Sequence, residues 1–395
     1  MDAEGVPVSA RYDVAVVGAG IVGLGAAYAA VRRGKSVVVL DRTSHAVGAT
    51  VRNFGHLCIG AQTGLARVYA DASRALWLEL ARDAGFWLRE SGTLVVARHD
   101  DELSLLEAAA SGGSDQVGRD GSGIEMLSGR RLARRAPVDP AVTVGGAWIE
   151  TDLQTHPREA AAAITEHLAR LGVSFRWRTA VTSVDAGVVG TTRGEVAADE
   201  IVVAVNHDLD QLMPHLAERA GIVRCTLDMI RAEVALRAPL DAPLLTGWSL
   251  VRYGRFAALA EAAIVRSRLH AQAPELAALD LNQMYTQLPD GSLIIGDTHH
   301  REVSPPPFQS EAASAALLRE TATLFRTVPR VIERWQGVYA SGRDDFLVER
   351  PAPGVTVLAA TTGIGMTTGL GLAETELATT WGAEAPIHTP QGVLS

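Results

Sequence analysis

Two glycine-rich clusters and the loop between them have residue types and spacings suited to chemistry. The first cluster is Gly18-x-Gly20-x-x-Gly23, directly after the apolar run Val14-Ala15-Val16-Val17 and at the start of an alanine-rich stretch. Glycines so spaced permit a tight turn, a close approach of backbone to a pyrophosphate and a close helix–strand contact. The helix start adds free N–H groups and a positive dipole end. A second apolar run closes on Asp41, 21 residues beyond Gly20. A carboxylate there accepts hydrogen bonds from a ribose 2′-hydroxyl and repels a 2′-phosphate. The chemistry is dinucleotide binding, and the motif alone leaves NAD and FAD open.

Residues 48–60 form an aperiodic loop of glycines and small polar residues, expected to run beside a site where backbone amides and Asn53 reach a ligand. The second glycine cluster, Gly363-Ile-Gly365-Met-Thr-Thr-Gly369, follows a short apolar run and precedes a helical pattern to about Trp381. Nothing matches a G-x-S-x-G elbow, and no spaced cysteine pairs suggest zinc. His299 and His300 are adjacent on an expected strand and so point to opposite faces, so no metal is expected there. Cys58 reads as a small buried thiol rather than a point of covalent flavin attachment.

The elements that must position these clusters follow from periodicity. Helix 23–33 ends at Gly34, strand 36–40 follows, and helical spacing runs over 64–90 before a strand at 93–98. Helices 102–110 and 128–135 flank a glycine- and serine-rich surface loop at 111–122, and 145–150 returns to strand. His156-Pro157 opens a helix that stops at Gly172. Strand 173–177 rejoins the first sheet, 180–184, 188–192 and 195–198 form a meander, and 200–205 is a buried strand ending at Asn206. Between 211 and 330 the pattern predicts an antiparallel sheet (231–236, 248–253, 282–288 and 292–296) with a helical piece at 257–279. A helix over 311–327 and a strand over 354–360 lead to the second glycine loop. The fold class is therefore α/β, with a discontinuous Rossmann-like nucleotide domain (10–90, 151–210 and 330–385). An antiparallel-sheet α+β substrate domain (91–150 and 211–329) is inserted in it.

Composition narrows the classes. Hydrophobic residues make up 47% and charged residues 21% of the 395 residues, which is ordinary globular material. The 36 basic and 45 acidic side chains give a formal charge of −9, which disfavours a nucleic-acid-binding face. Two cysteines suit a reducing compartment, with cytoplasm the expectation. No signal peptide is expected before the first strand, and no run of about 18 apolar residues suggests an integral membrane anchor.

These residues carry a resemblance. Gly18-x-Gly20-x-x-Gly23 with Asp41-Arg42, Gly48-Ala-Thr-Val-Arg-Asn53-x-Gly55, the strand 201–205 and Gly363-Ile-Gly365-Met-Thr-Thr together resemble the FAD-dependent D-amino acid oxidase-like superfamily, which includes glycine and sarcosine oxidases. Within it, Val51-Arg-Asn-Phe-Gly55, Gln287-Leu-Pro-Asp-Gly-Ser-Leu-Ile-Ile-Gly-Asp297, Trp335-Gln-Gly-Val-Tyr339 and Gly363-Ile-Gly-Met366 are similar to a subgroup proposed to oxidise aminophosphonates such as 2-aminoethylphosphonate.

The resemblance implies non-covalent FAD. Gly18, Gly20, Ile21, Val22 and Gly23 would hold the pyrophosphate, Asp41 the adenosine ribose, Arg42 and Val181 the adenine, and Asn206 would lie near the adenosine. Ala49, Thr50, Asn53, Gly55, His56 and Leu57 would line the flavin, and Gly363, Gly365, Met366 and Thr367 would approach its pyrimidine end. Family members often carry a small residue where this chain has Asn206.

The implied reaction is oxidation of a C–N bond by hydride transfer to flavin N5, with imine hydrolysis and oxygen or another electron acceptor to follow. It demands little acid–base machinery, so no catalytic base is assigned. An anionic amine calls for guanidinium, and Arg52 and Arg252, with Tyr253, His299 and Tyr339, are the substrate candidates. For each arginine the alternative is a solvated or salt-bridged side chain. The competing functions are a glycine, sarcosine or D-amino acid oxidase or dehydrogenase, an inactive FAD-binding module and, on the first motif alone, an NAD-dependent dehydrogenase.

Overall fold

The first apolar run forms a strand, Tyr12–Val17, whose last four residues are buried. Burial on both faces is what a parallel sheet covered by helices imposes. The strand pairs in parallel with Val37–Leu40 on one side and Gly194–Val203 on the other. Ser174–Arg176 joins Val37–Leu40 in parallel, so the sheet is rejoined after the long excursion as the sequence predicts. Val355–Thr362 adds a further parallel strand beside Gly194–Val203. This computed structural model describes residues 11–112 and 123–382, and most of the loop expected at 111–122 lies outside them.

The helix after the first glycines, Ile21–Val31, buries ten of its eleven residues, which explains its lack of a polar face. It is covered by the helix at the other end of the chain, Gly365–Trp381, with Gly25 against Leu370 and Gly369 against Ile21 and Val22.

The second half of the sheet is largely antiparallel. It runs from Ile124–Ser128 through Gly145–Ile149, Thr93–Ala97, Leu244–Leu245, Met284–Gln287 and Leu293–Gly296 to Val223–Glu233. One parallel pair, Leu244–Leu245 with Thr93–Ala97, makes the sheet mixed. The 23-residue strand Arg330–Ala352 joins the two halves. Its first half pairs with Val223–Glu233 and its second half with Val355–Thr362, so sixteen strands form one sheet. A three-stranded sheet of His56–Leu57, Leu153–Thr155 and Leu88–Arg89 lies beside it.

Several sequence expectations are corrected. Residues 248–253 are not a strand: Gly247–Leu250 and Gly254–Ala257 are short helical turns joined at Arg252 and Tyr253. All four residues of the first turn are buried, and a short run buried all round has no period to read. The long helix ends at Ala84, because Gly85 takes the left-handed cap at φ 76°, and Leu88–Arg89 is already strand. The strand expected at 231–236 begins at Val223, and the last meander strand and the buried strand are one, Gly194–Val203. The helical stretch 257–279 is divided among Gly254–Ala257, Ala260–Gln272 and Pro274–Ala278, with a proline opening the last.

Candidate cofactor and substrate site

The two glycine loops face one cavity of about 930 Å³ at the carboxyl ends of the parallel strands, the usual ligand position in open α/β sheets. Gly18 makes the turn at φ 103°, and a Cβ there would lie 2.6 Å from the Ala204 carbonyl oxygen. Gly23 is the packing glycine, since its Cβ would fall 1.9 Å from the Gly18 carbonyl oxygen. Thr50 Oγ1 accepts the Ile21 N–H (2.9 Å), tying the middle loop to the start of the helix.

Asp41 is already at work within the protein. Its Oδ2 accepts the Ala19 N–H at 2.9 Å, and its Oδ1 accepts from the Thr43 N–H and hydroxyl. The carboxylate thus fixes the turn as well as facing the cavity, where Oδ2 has a further lone pair for a hydroxyl. Arg42 pairs with Asp208 at 2.7 Å on the cavity rim.

The closing helix begins at Gly365 with no side-chain cap and no acidic residue in its first turn. Its free amides and dipole therefore offer positive potential where Gly363, Gly365 and Met366 line the cavity. Gly363, at φ 80°, leaves room for Tyr339, whose ring atom Cζ would be 2.9 Å from a Cβ. A cavity lined by a carboxylate, a glycine turn and the start of an uncapped helix fits a flavin dinucleotide.

Gly18, Gly20, Ile21, Val22, Asp41, Arg42, Ala49, Thr50, Asn53, Val181, Asn206, Gly363, Gly365 and Met366 line this cavity. Gly23, Gly55, His56, Leu57 and Thr367 do not. Gly55 is at φ 70° with the Thr155 carbonyl oxygen 1.9 Å from where its Cβ would be, so it serves strand packing. Leu57 is wholly buried in the core, and Thr367 Oγ1 is taken by the Cys58 N–H (3.0 Å).

His56 is buried in a network in which its Nε2 meets Thr93 Oγ1 (2.6 Å) and Asp152 Oδ2 (3.3 Å). Cys58 sits against the same Asp152, and burial, then that carboxylate, pushes its thiol up. The three side chains bring potential metal ligands within 4.8 Å of one another, but Asp152 is already occupied by Thr93 and by the Gly60 N–H.

Two asparagines also depart from expectation. Asn53 donates to the Ala49 and Thr50 carbonyls and accepts from the Gly55 N–H, so its amide shapes the loop rather than reaching out. Asn206, at φ 55°, spends its Oδ1 on the Ala340 N–H at 2.7 Å, which ties the long strand to the cavity wall.

All five substrate candidates, Arg52, Arg252, Tyr253, His299 and Tyr339, also line the cavity. Arg252 and Arg301 share one carboxylate, Asp280, at 2.5 and 2.7 Å. Arg52 donates to the Gln336 carbonyl at 3.3 Å and forms no ion pair among the described residues. Desolvation raises the Tyr253 and Tyr339 phenols well above their ordinary value, so both stay protonated. Arg252 and Arg301 also line a second, smaller cleft of about 290 Å³, together with Asp280, so the two guanidinium groups border both spaces.

Sequence reasoning missed Arg301 and Asp297. Asp297 is 4% exposed and follows the apolar strand Leu293–Gly296. Its Oδ1 accepts from Asn282 Nδ2 at 2.9 Å, and its Oδ2 lies 3.7 Å from His299 Nε2. Burial raises this carboxyl to about 7 against the pull of Arg252. Burial, reinforced by Arg252, lowers His299 to about 3, so the imidazole is neutral. The available signal was a carboxylate directly after four apolar residues.

A family profile described as "FAD dependent oxidoreductase" (DAO) matches residues 13–378. Gamma-glutamylputrescine oxidoreductase of Escherichia coli (strain K12) is 25% identical over 244 residues, which span 56% of this chain and 55% of that protein. The chain thus matches about half the length of that curated relative. Among solved structures, glycine oxidase from Geobacillus kaustophilus is similar at a TM-score of 0.72 and 20% identity over 94% of this chain and 95% of that one. L-alpha-glycerophosphate oxidase from Mycoplasma pneumoniae, solved with FAD bound, is similar at 0.73 and 17% over 97% of each. Both likenesses concern the fold.

Proposed function

We propose, since this chain belongs to the DAO family of FAD dependent oxidoreductases, that it oxidises the C–N bond of a small anionic amine. The observation that carries this reading is the charge among the substrate candidates. Three guanidinium groups, Arg52, Arg252 and Arg301, line the cavity there. The latter two share a single carboxylate, and Arg52 has none among the described residues. Planar, forked donors of this kind match carboxylate and phosphonate oxygens.

When bound, non-covalently, FAD supplies the hydride acceptor at N5. The glycine turn at Gly18 and Gly20 and the Asp41 carboxylate hold its dinucleotide part. The free amides of Gly365 and Met366 favour negative charge at the pyrimidine edge. The arginines orient the anionic head, and Phe54, Leu227 and Tyr339 present apolar surface that excludes water from the reacting carbon. The imine then hydrolyses to an aldehyde or keto acid with release of ammonia or an amine. Oxygen or another acceptor takes the electrons. In this reading the nucleotide part is 10–90, 151–210 and 330–385, and the substrate part is 91–150 and 211–329.

The amine to test first is an aminophosphonate, 2-aminoethylphosphonate or a close derivative. The motifs at 51–55, 287–297, 335–339 and 363–366 support it, as does an arginine set suited to a dianion. The second reading is an amino acid substrate, glycine, sarcosine or a D-amino acid. It is favoured by the likeness to a glycine oxidase fold and by a relative named for oxidising gamma-glutamylputrescine. Anaerobic mixing of the purified yellow protein with both panels decides between them. Bleaching by 2-aminoethylphosphonate or its N-methyl or hydroxy derivatives is the expected result. Bleaching by glycine, sarcosine or D-amino acids alone would sink the phosphonate reading, and bleaching by no amine would sink both.

A further inference from the structure

The cavity wall contains a buried carboxylate that the reaction as proposed above does not use. Asp297 is buried among the substrate candidates, yet only one of its oxygens is bonded, to Asn282. Asn282 is itself fixed by the Ser249 hydroxyl at 2.7 Å and by the backbone pair it makes with Asp297. The carboxyl group therefore cannot swing away. His299 lies next to it with its ring 5% exposed.

The tautomer of His299 follows from its partner. Its Nδ1 lies 3.0 Å from the Asp280 carbonyl oxygen, which only accepts, so Nδ1 carries the hydrogen. Nε2 is then a bare lone pair, 3.7 Å from Asp297 Oδ2. Two acceptors at that separation, in the wall of a cavity that Arg52, Arg252 and Arg301 also line, fit two N–H bonds of one ammonium group. A nitrogen about 2.9 Å from each is ordinary hydrogen-bond geometry.

Resting on the reading of the substrate as an anionic amine, we infer that Asp297 and His299 Nε2 seat its ammonium group and that Asp297 takes its proton. The balance is R–CH2–NH3+ plus carboxylate giving R–CH2–NH2 plus carboxylic acid: one N–H bond breaks and one O–H bond forms. The neutral amine then releases a C–H electron pair as hydride to the flavin, and its nitrogen lone pair closes the C=N bond. Without the first step the nitrogen has no lone pair to give.

The carboxyl is suited to this task because it titrates near neutrality, at about 7. The charged and titratable groups that act on it are Arg252 and Asp280, His299 beside it, and the thiol of Cys225 and phenols of Tyr253 and Tyr339. Of these, His299 is held neutral and the thiol and both phenols are held protonated. Against its own desolvation, Arg252 and Arg301 hold Asp280 below the ordinary carboxylate range, so Asp297 is the group that changes state through neutral pH.

The test uses the holoenzyme and whichever amine bleaches it. In the wild type, the rate of anaerobic flavin reduction per unit amine should rise with pH through about 7. In Asp297→Asn that limb should vanish, with the rate about 10²- to 10⁴-fold lower at neutral pH. It should then recover in proportion to the free amine as the substrate itself deprotonates. Flavin difference spectra supply a second readout. The variant should bind an amine-free anion such as methylphosphonate as the wild type does, and an unreactive ammonium-bearing analogue at least tenfold more weakly.

A variant that keeps the wild-type pH profile at any amplitude overturns the inference. Should the variant lose its flavin, the wild type alone decides: affinity for the ammonium-bearing analogue that is flat through neutral pH overturns it. If no amine bleaches the wild type, it is the substrate reading that has failed instead.

Discussion

Arg52 is the cavity guanidinium with no carboxylate beside it, so its charge is the one most available to a ligand. Replacing it with glutamine should raise the KM for the anionic amine about ten- to a hundredfold, the effect of losing a charged hydrogen bond worth about 1.5–3 kcal/mol. Flavin content should not change. An unaltered KM would move the anion to Arg252 and Arg301.

Asp297 carries a second consequence, for stability. Its folded-state carboxyl titrates at about 7, above the ordinary carboxylate value, so between about 4 and 7 the folded protein binds the extra proton. Stability from this group is fully present below pH 4 and is lost as pH rises through 7. In flavin-free protein, Asp297→Asn should therefore raise the thermal midpoint at pH 8 more than at pH 5. An equal change at both would contradict the assignment. Neither residue role was evident in sequence for Asp297, because a carboxylate at a strand end usually faces solvent, and only its burial makes it chemical.

At the scale of elements, the glycine turn does two separable jobs. Gly18 shapes the cavity, whereas Gly23 lies behind it and sets the distance between the first helix and its strand. Gly23→Ala drives a methyl group into the Gly18 carbonyl and should cost about 1–3 kcal/mol through overpacking. It should lower both the thermal midpoint and flavin affinity without touching the cofactor.

The first strand, turn and helix were legible because glycine spacing and unbroken aliphatic runs leave few other structures. The strand Arg330–Ala352 was not, since more than half its residues are partly or fully exposed and one of its partner strands, Val223–Glu233, comes from a distant part of the chain. Residues 248–253 were misread because a buried helical turn and a buried strand share the same composition. Asn53 was correctly placed at the cavity, but its amide is consumed by its own loop, and hydrogen-bond accounting of that kind is not visible in a sequence.

At the scale of the molecule, one sheet passes through both of the parts proposed above, and Arg330–Ala352 pairs with Val223–Glu233 on one side and Val355–Thr362 on the other. Shared backbone pairing of this extent couples their stabilities. Denaturant unfolding followed by flavin release and by far-ultraviolet circular dichroism should give coincident midpoints. Two separated transitions would show that the parts unfold independently. No helix among the described residues is long and apolar enough to cross a membrane.

The packing of Ile21–Val31 against Gly365–Trp381 bears on how the chain is made. Ten of the first helix's eleven residues need cover, and a principal source of it is encoded more than 300 residues later. At translation rates of about 5–20 residues per second, that cover follows roughly 20–70 seconds behind. During synthesis the first helix thus lacks the Gly365–Trp381 part of its cover, and the cavity lacks the wall formed by Gly363, Gly365 and Met366, until those residues have left the ribosome.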